Sequence, residues 1–419
     1  MARPLLRFVT AVLSAVLAGQ ATDVSSAPVS SAAATSIHTS ARTTAVHTVT
    51  PGSRHLAGTW TAGTDRVRTA VGDQTVRMVA RISVGGSGLR VRLSNQYGRR
   101  AVTFGRAYLG RPESGAEVAQ GSSRRLTFHG HRSVRVPAGR TVWSDPLPGV
   151  IPSGADVVLS LFVRGTYDLV TGHERAFATT FLSQPGDHSR DETGSQFSYT
   201  STQWYFLDRI AVATPRSVRS VVALGDSITD GAGMAMDANR RWTDYLFNRL
   251  RALPSSHRMG VLNAGIAGNR VLRDGTGPSA LRRFGRDALT QPGVRTVVVF
   301  EGINDISRGA FTSAKPLVSG YKKMIKMAHA RGLKVFGATL TPFYGFGTWT
   351  EDREAVRQQV NLWIRTSHAF DKVLDFDRVV RDPDFPEQLR AAYDYGDHLH
   401  LSDAGRRALG YAIPLRWLH

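Results

Sequence analysis

From about residue 55 to residue 214 the chain alternates apolar and polar side chains with a period of two. Val76, Met78, Ala80 and Ile82 interleave with Arg77, Arg81 and Ser83. After Gly85-Gly86-Ser87-Gly88 the alternation resumes at Leu89, Val91 and Leu93. Successive side chains on a strand point to opposite faces, so this pattern predicts half-buried strands, and two runs around a glycine-rich turn predict a hairpin. Val134-Arg135-Val136, Val142-Trp143 and the run 157–163 continue the theme, and few windows here support a helix. Short strands at regular spacing predict an all-β sandwich, jelly-roll-like, over 55–214. At Pro215-Arg216 the pattern changes. Apolar runs at 220–224, 260–263, 296–300, 334–339 and 372–376 now alternate with segments of helical period. Leu317, Tyr321, Met324, Ile325 and Ala328 share one face of a helix over 315–331, and Val356, Val360, Trp363 and Ile364 share a face of the next. Ser402 reads as the N-cap of a last helix that Pro414 ends. Five such runs with helices between them predict a parallel sheet covered on both faces, a three-layer α/β/α domain over 215–419.

The start of the chain has another character. Arg3 and Arg7 flank the entry to a short apolar stretch, 8–18, and Gly19-Gln20-Ala21 supplies small residues for cleavage. This predicts a signal peptide over 1–21 and a secreted, extracellular protein. The stretch is too short to span a bilayer and no later run approaches that length, so no stable membrane insertion is expected. Residues 22–54 are rich in Ser, Thr, Ala and Val without an amphipathic period, which predicts a flexible leader. Cysteine is absent from all 419 residues, which excludes a disulfide framework and a lipidated cysteine.

The formal net charge is +20, carried mostly by arginine. Such a balance can mark nucleic-acid binding. Here the arginines are scattered, and in Leu89-Arg90-Val91-Arg92-Leu93 they alternate with apolar residues, which places them on a solvated sheet face. No groove-reading motif accompanies them. The charge reads as arginine-rich usage and solubility with weak attraction to acidic surface polymers, and no nucleic acid is expected as a partner. The sequence does not set an oligomeric state.

Four blocks carry chemistry. Gly225-Asp226-Ser227 follows the run 221–224, Asn263-Ala264-Gly265-Ile266-Ala267-Gly268-Asn269 follows the second strand, Gly302-Ile303-Asn304-Asp305 follows the third, and Asp397-His398-Leu399-His400 precedes the last helix. Three of them lie at carboxyl ends of strands, which in a parallel sheet point one way and bind ligands. A serine hydroxyl needs a neighbouring base, and an imidazole titrates near neutral pH. Asp397, three residues before His400, can accept the other ring N–H. His398 competes with His400 as the base. The two histidines lack the further cluster that would complete a metal site, so no metal is expected.

With these blocks in this order, the chain from about residue 218 onward resembles the GDSL-type hydrolases, the SGNH hydrolase superfamily. The whole chain also resembles secreted bacterial members with an N-terminal β-sandwich module. The resemblance implies a flavodoxin-like catalytic domain and a serine ester hydrolase that works through an acyl-enzyme without a cofactor. In it Ser227 is the nucleophile, the DxxH spacing selects His400 as base, and Asp397 orients it. The Ser227 and Gly265 backbone N–H groups and the Asn304 amide form the oxyanion hole. Asp226, Asp230 and Asp305 read as structural hydrogen-bond acceptors.

Contacts to the substrate are more open. Arg270 holds its loop or a substrate carboxylate. His398 is a packing or substrate-rim residue. Tyr344, Phe346 and Trp349, between glycines in 343–349, form either a mobile wall for an acyl chain or sugar ring or an ordinary loop anchored by its aromatics. The expected substrate is an ester, with export and the accessory sandwich favouring O-acyl groups on a polysaccharide. The alternatives are a lipase or carboxylesterase acting on lipid or small esters, and a carbohydrate-binding module whose hydrolase domain is degenerate. The sandwich is a targeting module or a structural partner.

Overall fold

The computed structural model describes residues 54–418. The expected signal peptide and all of the expected leader but Arg54 lie outside the described residues, and Arg54 opens the first strand. Six longer strands carry the antiparallel part: β1 (Arg54–Thr61), β2 (Asp65–Arg81), β3 (Gly86–Ser94), β4 (Val102–Gly110), β5 (Asp156–His173) and β6 (Leu207–Pro215). One sheet runs β1-β6-β3, with Thr141–Trp143 and Leu147–Ile151 also paired to β3. The other is built on β2-β5-β4, with Thr180–Pro185 on the far side of β2. Their inner faces share one core, in which Val76, Met78 and Ala80 of one sheet and Leu89, Val91 and Leu93 of the other are buried.

The expected hairpin is not formed. β2 pairs with β5 and with Thr180–Pro185, whereas β3 pairs with β6. Residues 82–85 hand the chain from one sheet to the other, with the Ile82 N–H donating to the Ala155 carbonyl and the Ser83 N–H to the Thr59 carbonyl. Alternation fixes which face of a strand is buried and leaves its neighbour open. Both inner faces feed the same core here, so a crossover satisfies the pattern as well as a hairpin. The charge pattern needs a similar correction. Arg92, expected on a solvated face, forms a two-pronged pair with Asp208 at 2.9 and 2.6 Å, and both side chains are largely buried. Arg77 is wholly buried, donating to Ser160 Oγ at 2.9 Å and to the Ala116 and Asp191 carbonyls. Five guanidinium donors suit a position surrounded by acceptors, so part of the arginine content is structural.

The parallel sheet consists of β7 (Ser220–Gly225), β8 (Gly260–Gly265), β9 (Val294–Phe300), β10 (Lys334–Ala338) and β11 (Lys372–Leu374), in the order β8-β7-β9-β10-β11. β7 is buried at every position, as a central parallel strand must be. This is the flavodoxin-like order, whose switch point lies between the first and third strands of the sheet, at the carboxyl ends of β7 and β9. β11 is shorter than the run 372–376 because Asp375 leaves the strand to cap the helix Phe376–Val380. The helices Lys315–His329 and Glu351–Thr366 form where their apolar faces predict, and Ser402 caps Asp403–Ala412. Among the described residues no helix is long and apolar enough to cross a membrane.

The antiparallel part packs along β8, the edge of the parallel sheet. Val261 donates its N–H to Ser83 Oγ at 2.9 Å, Ser220 Oγ donates to the Gly58 carbonyl at 2.9 Å, and the Gly58 N–H donates to the Pro292 carbonyl at 2.7 Å. An uncovered edge is a template for mispairing, and β1 with the 82–85 crossover covers this one.

Candidate active site

At the end of β7, Gly225 lies so close to its neighbours that an added Cβ would sit 2.2 Å from Thr229 Oγ1 and 2.6 Å from the Phe300 carbonyl oxygen. Only glycine lets the strand end meet both β9 and the helix Ser227–Asp230. Asp226 caps that helix, its Oδ1 accepting the Ile228 N–H at 3.0 Å. Ser227 is the first helical residue, so its own N–H has no partner inside the helix. Its Oγ is 2.8 Å from His400 Nε2. His400 Nδ1 is 2.5 Å from Asp397 Oδ2, and Asp397 Oδ1 accepts the Leu399 and His400 N–H groups at 3.1 and 2.8 Å. A carboxylate at Nδ1 places the ring proton there and leaves Nε2 as the acceptor for the serine hydroxyl. Burial raises the Asp397 carboxyl, but its hydrogen bonds from His400 outweigh this and hold it below the usual range.

Asn304 enters from the helix Ile303–Ser307, just past β9. It is only 8% exposed, and its Nδ2 has no hydrogen-bond partner among the described residues. Leaving a buried donor unmade costs roughly 1–3 kcal/mol, so this amide is held ready for an acceptor that arrives from outside.

Gly265 does not fit the oxyanion role expected of it. β8 runs on through Gly265, whose N–H donates to Asn263 Oδ1 at 2.9 Å. The chain turns three residues later at Gly268, where φ is +75°. The Gly268 N–H makes no hydrogen bond among the described residues. Gly268 also lies against the Arg308 guanidinium, which follows the Asn304 helix.

His400, not His398, reaches the serine. His398 Nδ1 pairs with Asp394 Oδ2 at 2.7 Å, and its ring packs on Gly345, joining the 394–400 loop to the 343–349 loop. Arg270 turns back onto the Asp274 carbonyl and holds its own loop. Phe346 and Trp349 pack against the core, while Tyr344 is exposed and meets Trp349 and Phe385 edge to face, with ring centroids 4.8 and 4.7 Å apart. Asp230 and Asp305 act as acceptors, from Ala267 and Val271 N–H groups at 3.0 and 2.8 Å.

Two features escape the sequence. Tyr395 is exposed, its N–H donates to the His400 carbonyl at 3.0 Å, and its ring lies over Gly233 beyond the Ser227 helix. Its place two residues before Asp397 was the available signal. The second is Arg283, wholly buried beneath the strand ends. It donates to the Gly225 carbonyl at 2.9 Å, the Ala264 carbonyl at 2.5 Å and Asn269 Oδ1 at 2.9 Å, and stands 3.5 Å from Glu301 Oε2. Around it, burial pushes Asp226 up to about 7 and Asp305 up to about 6, and burial together with the Asp226 charge raises Glu301 far above the usual carboxylate range.

A match to the GDSL-like Lipase/Acylhydrolase family covers residues 223–408. No curated protein matches the chain. Among solved structures, the chain is similar to an aryl esterase from M. smegmatis, with 18% identity, 48% of this chain and 100% of that one covered, and a TM-score of 0.39. It is similar to a GDSL-like lipase from Bacteroides thetaiotaomicron (20% identity, 48% and 87% covered, TM-score 0.37). It is also similar to an acetyl xylan esterase (21% identity, 46% and 96% covered, TM-score 0.36).

Proposed function

Since the chain carries a GDSL-like lipase/acylhydrolase domain over residues 223–408 and is an ester hydrolase of that family, we propose that Ser227 is its nucleophile and His400 and Asp397 its proton relay. The unbroken line from Asp397 through His400 to Ser227 Oγ, 2.5 and 2.8 Å per step, carries this reading. As Ser227 Oγ bonds to the acyl carbon, its proton passes to His400 Nε2, and Asp397 stabilises the resulting imidazolium. The carbonyl oxygen becomes an oxyanion, received by the Ser227 and Gly268 N–H groups and Asn304 Nδ2. The bond to the alcohol breaks, and the alcohol leaves with the proton from His400. Water then repeats the sequence on the acyl-enzyme and releases the carboxylic acid.

Asn304→Ala lowers kcat by about 10²–10³-fold, the usual loss for one oxyanion donor. Stability is held or slightly raised, because the substitution removes an unpartnered buried amide. Steady-state kinetics and a thermal melt on the same sample check both halves.

The enzyme is exported, on the strength of the basic and apolar start of the chain, and acts on O-acyl groups of carbohydrate. Exposed rings on the loops that meet around His398 support the substrate class: Tyr344, with Phe385 against it, on the loop whose Gly345 touches His398, and Tyr395 over Gly233 on the loop that bears Asp397 and His400. Aromatic faces with a polar edge suit the apolar face and hydroxyls of a sugar ring. Acetate release from acetylated xylan is expected to exceed fatty-acid release from long-chain glycerides. The opposite preference would remove the carbohydrate assignment. A fluorophosphonate that labels a peptide other than the one bearing Ser227 would remove the nucleophile.

A further inference from the structure

His173, the last residue of β5, belongs to the antiparallel part and is buried. Its Nδ1 is 2.6 Å from the Gly63 carbonyl oxygen, and its Nε2 is 2.9 Å from Asp230 Oδ1 and 3.1 Å from the Arg175 carbonyl oxygen. Carbonyl oxygens only accept, and so does an ionised carboxylate, so both ring nitrogens must donate and the ring is an imidazolium. Asp230 is the last residue of the helix that Ser227 begins. Its other oxygen, Oδ2, accepts the Ala267 N–H at 3.0 Å, in the turn that presents Gly268. Its carbonyl accepts from Arg241 Nε at 2.9 Å, and Arg241 Nη2 reaches back to the Ala176 carbonyl in the antiparallel part at 2.6 Å.

Asp230 therefore ties together the helix of the nucleophile and the turn of the second oxyanion donor. The group that fixes Asp230 comes from outside the parallel-sheet domain. We propose that His173 is a positioning residue for the ester hydrolysis, which makes the antiparallel domain a working part of the catalytic device and not a detachable binding module. The proposal rests on Ser227 as nucleophile and Gly268 as oxyanion donor.

The groups facing the ring are Asp230, Arg241, the carbonyls of Gly63 and Arg175, and the Trp204 ring, whose centroid is 5.5 Å away. Burial and Arg241 oppose the charge. The Asp230 carboxylate and the hydrogen bonds outweigh them and keep the proton on above the usual histidine range. A histidine raised on folding contributes fully below its unfolded value and loses that contribution as pH climbs through the folded one. Positioning by His173 accordingly fades on the alkaline side.

The test compares His173→Ala, His173→Gln and Ser227→Ala in the full chain, with circular dichroism to establish folding. In His173→Ala, kcat for p-nitrophenyl acetate is expected to fall by about 10–10²-fold with KM within about two-fold, as misplacement of reacting groups does. His173→Gln is expected to recover part of kcat through an amide N–H to Asp230 and to lack the alkaline fall expected of the wild type. A folded His173→Ala enzyme with wild-type kcat overturns the proposal, as does a glutamine variant no better than alanine. Should neither variant fold, nitrogen-15 histidine spectra of the wild type decide. One buried ring keeping both N–H protons at a pH where the exposed histidines have lost one supports the proposal, and a His173 ring neutral there sinks it. Activity retained in Ser227→Ala would instead strike at the nucleophile reading.

Discussion

Ser227→Ala is expected to cut kcat on p-nitrophenyl acetate by about 10⁴–10⁶-fold, the scale seen when a serine hydrolase loses its nucleophile. The hydroxyl is the group that His400 Nε2 contacts, so its removal leaves a base with nothing positioned to deprotonate. A water molecule in its place lacks the fixed approach to the acyl carbon that the helix gives Oγ. KM should change little, because one hydroxyl contributes little to binding the rest of the ester. Folding should be kept, since among the described residues the Oγ bonds only to His400, and the nitrogen it leaves is on a side chain still 19% exposed. Residual turnover above background is expected from the oxyanion donors that remain. Single-turnover and steady-state rates, with fluorophosphonate labelling as a control, measure this. A variant within ten-fold of the wild type would mean that another group attacks the ester.

The largest loss of stability is expected at Arg283. Arg283→Met should cost about 3–5 kcal/mol, the range for breaking a buried ion pair by removing one partner. Three acceptors lose their donor at once, the Gly225 and Ala264 carbonyls and Asn269 Oδ1. Asp287 Oδ2, 3.3 Å from Arg283, and Glu301 lose a neighbouring positive charge. Arg283→Lys should rescue little, because a single ammonium cannot reach two strand ends and a loop amide together. Those strand ends hold Ser227 and the 266–268 turn, so kcat should fall in whatever fraction stays folded. Urea unfolding of both variants beside the wild type gives the comparison. A lysine variant as stable as the wild type would contradict the clamp.

What could be read from the chain, and what could not, follows from the forces involved. Strands buried on both faces are nearly continuous apolar runs, so β7, β9 and β10 stand out, and the carboxyl ends of β7 and β9 carry candidate chemistry. The partner of β2 was not legible, because alternation records a face and not a neighbour. The position of Gly265 differs from the expected one for a related reason. Ending the second strand at residue 263 puts Gly265 in the turn, whereas β8 runs two residues further and the turn glycine becomes Gly268. Arg283 was invisible among 53 lysines and arginines, since an arginine on a short helix reads as a solvated one. His173 was equally mute, because its partner Asp230 lies 57 positions away.

The cover over β8 also bears on how the molecule comes to exist. A polypeptide is made from its amino end and folds largely in that order. Gly58 and Ser83 have therefore emerged long before Gly260, Val261 and Leu262 of β8, which they shield. The late-made half meets its chaperone already in place, attached to itself.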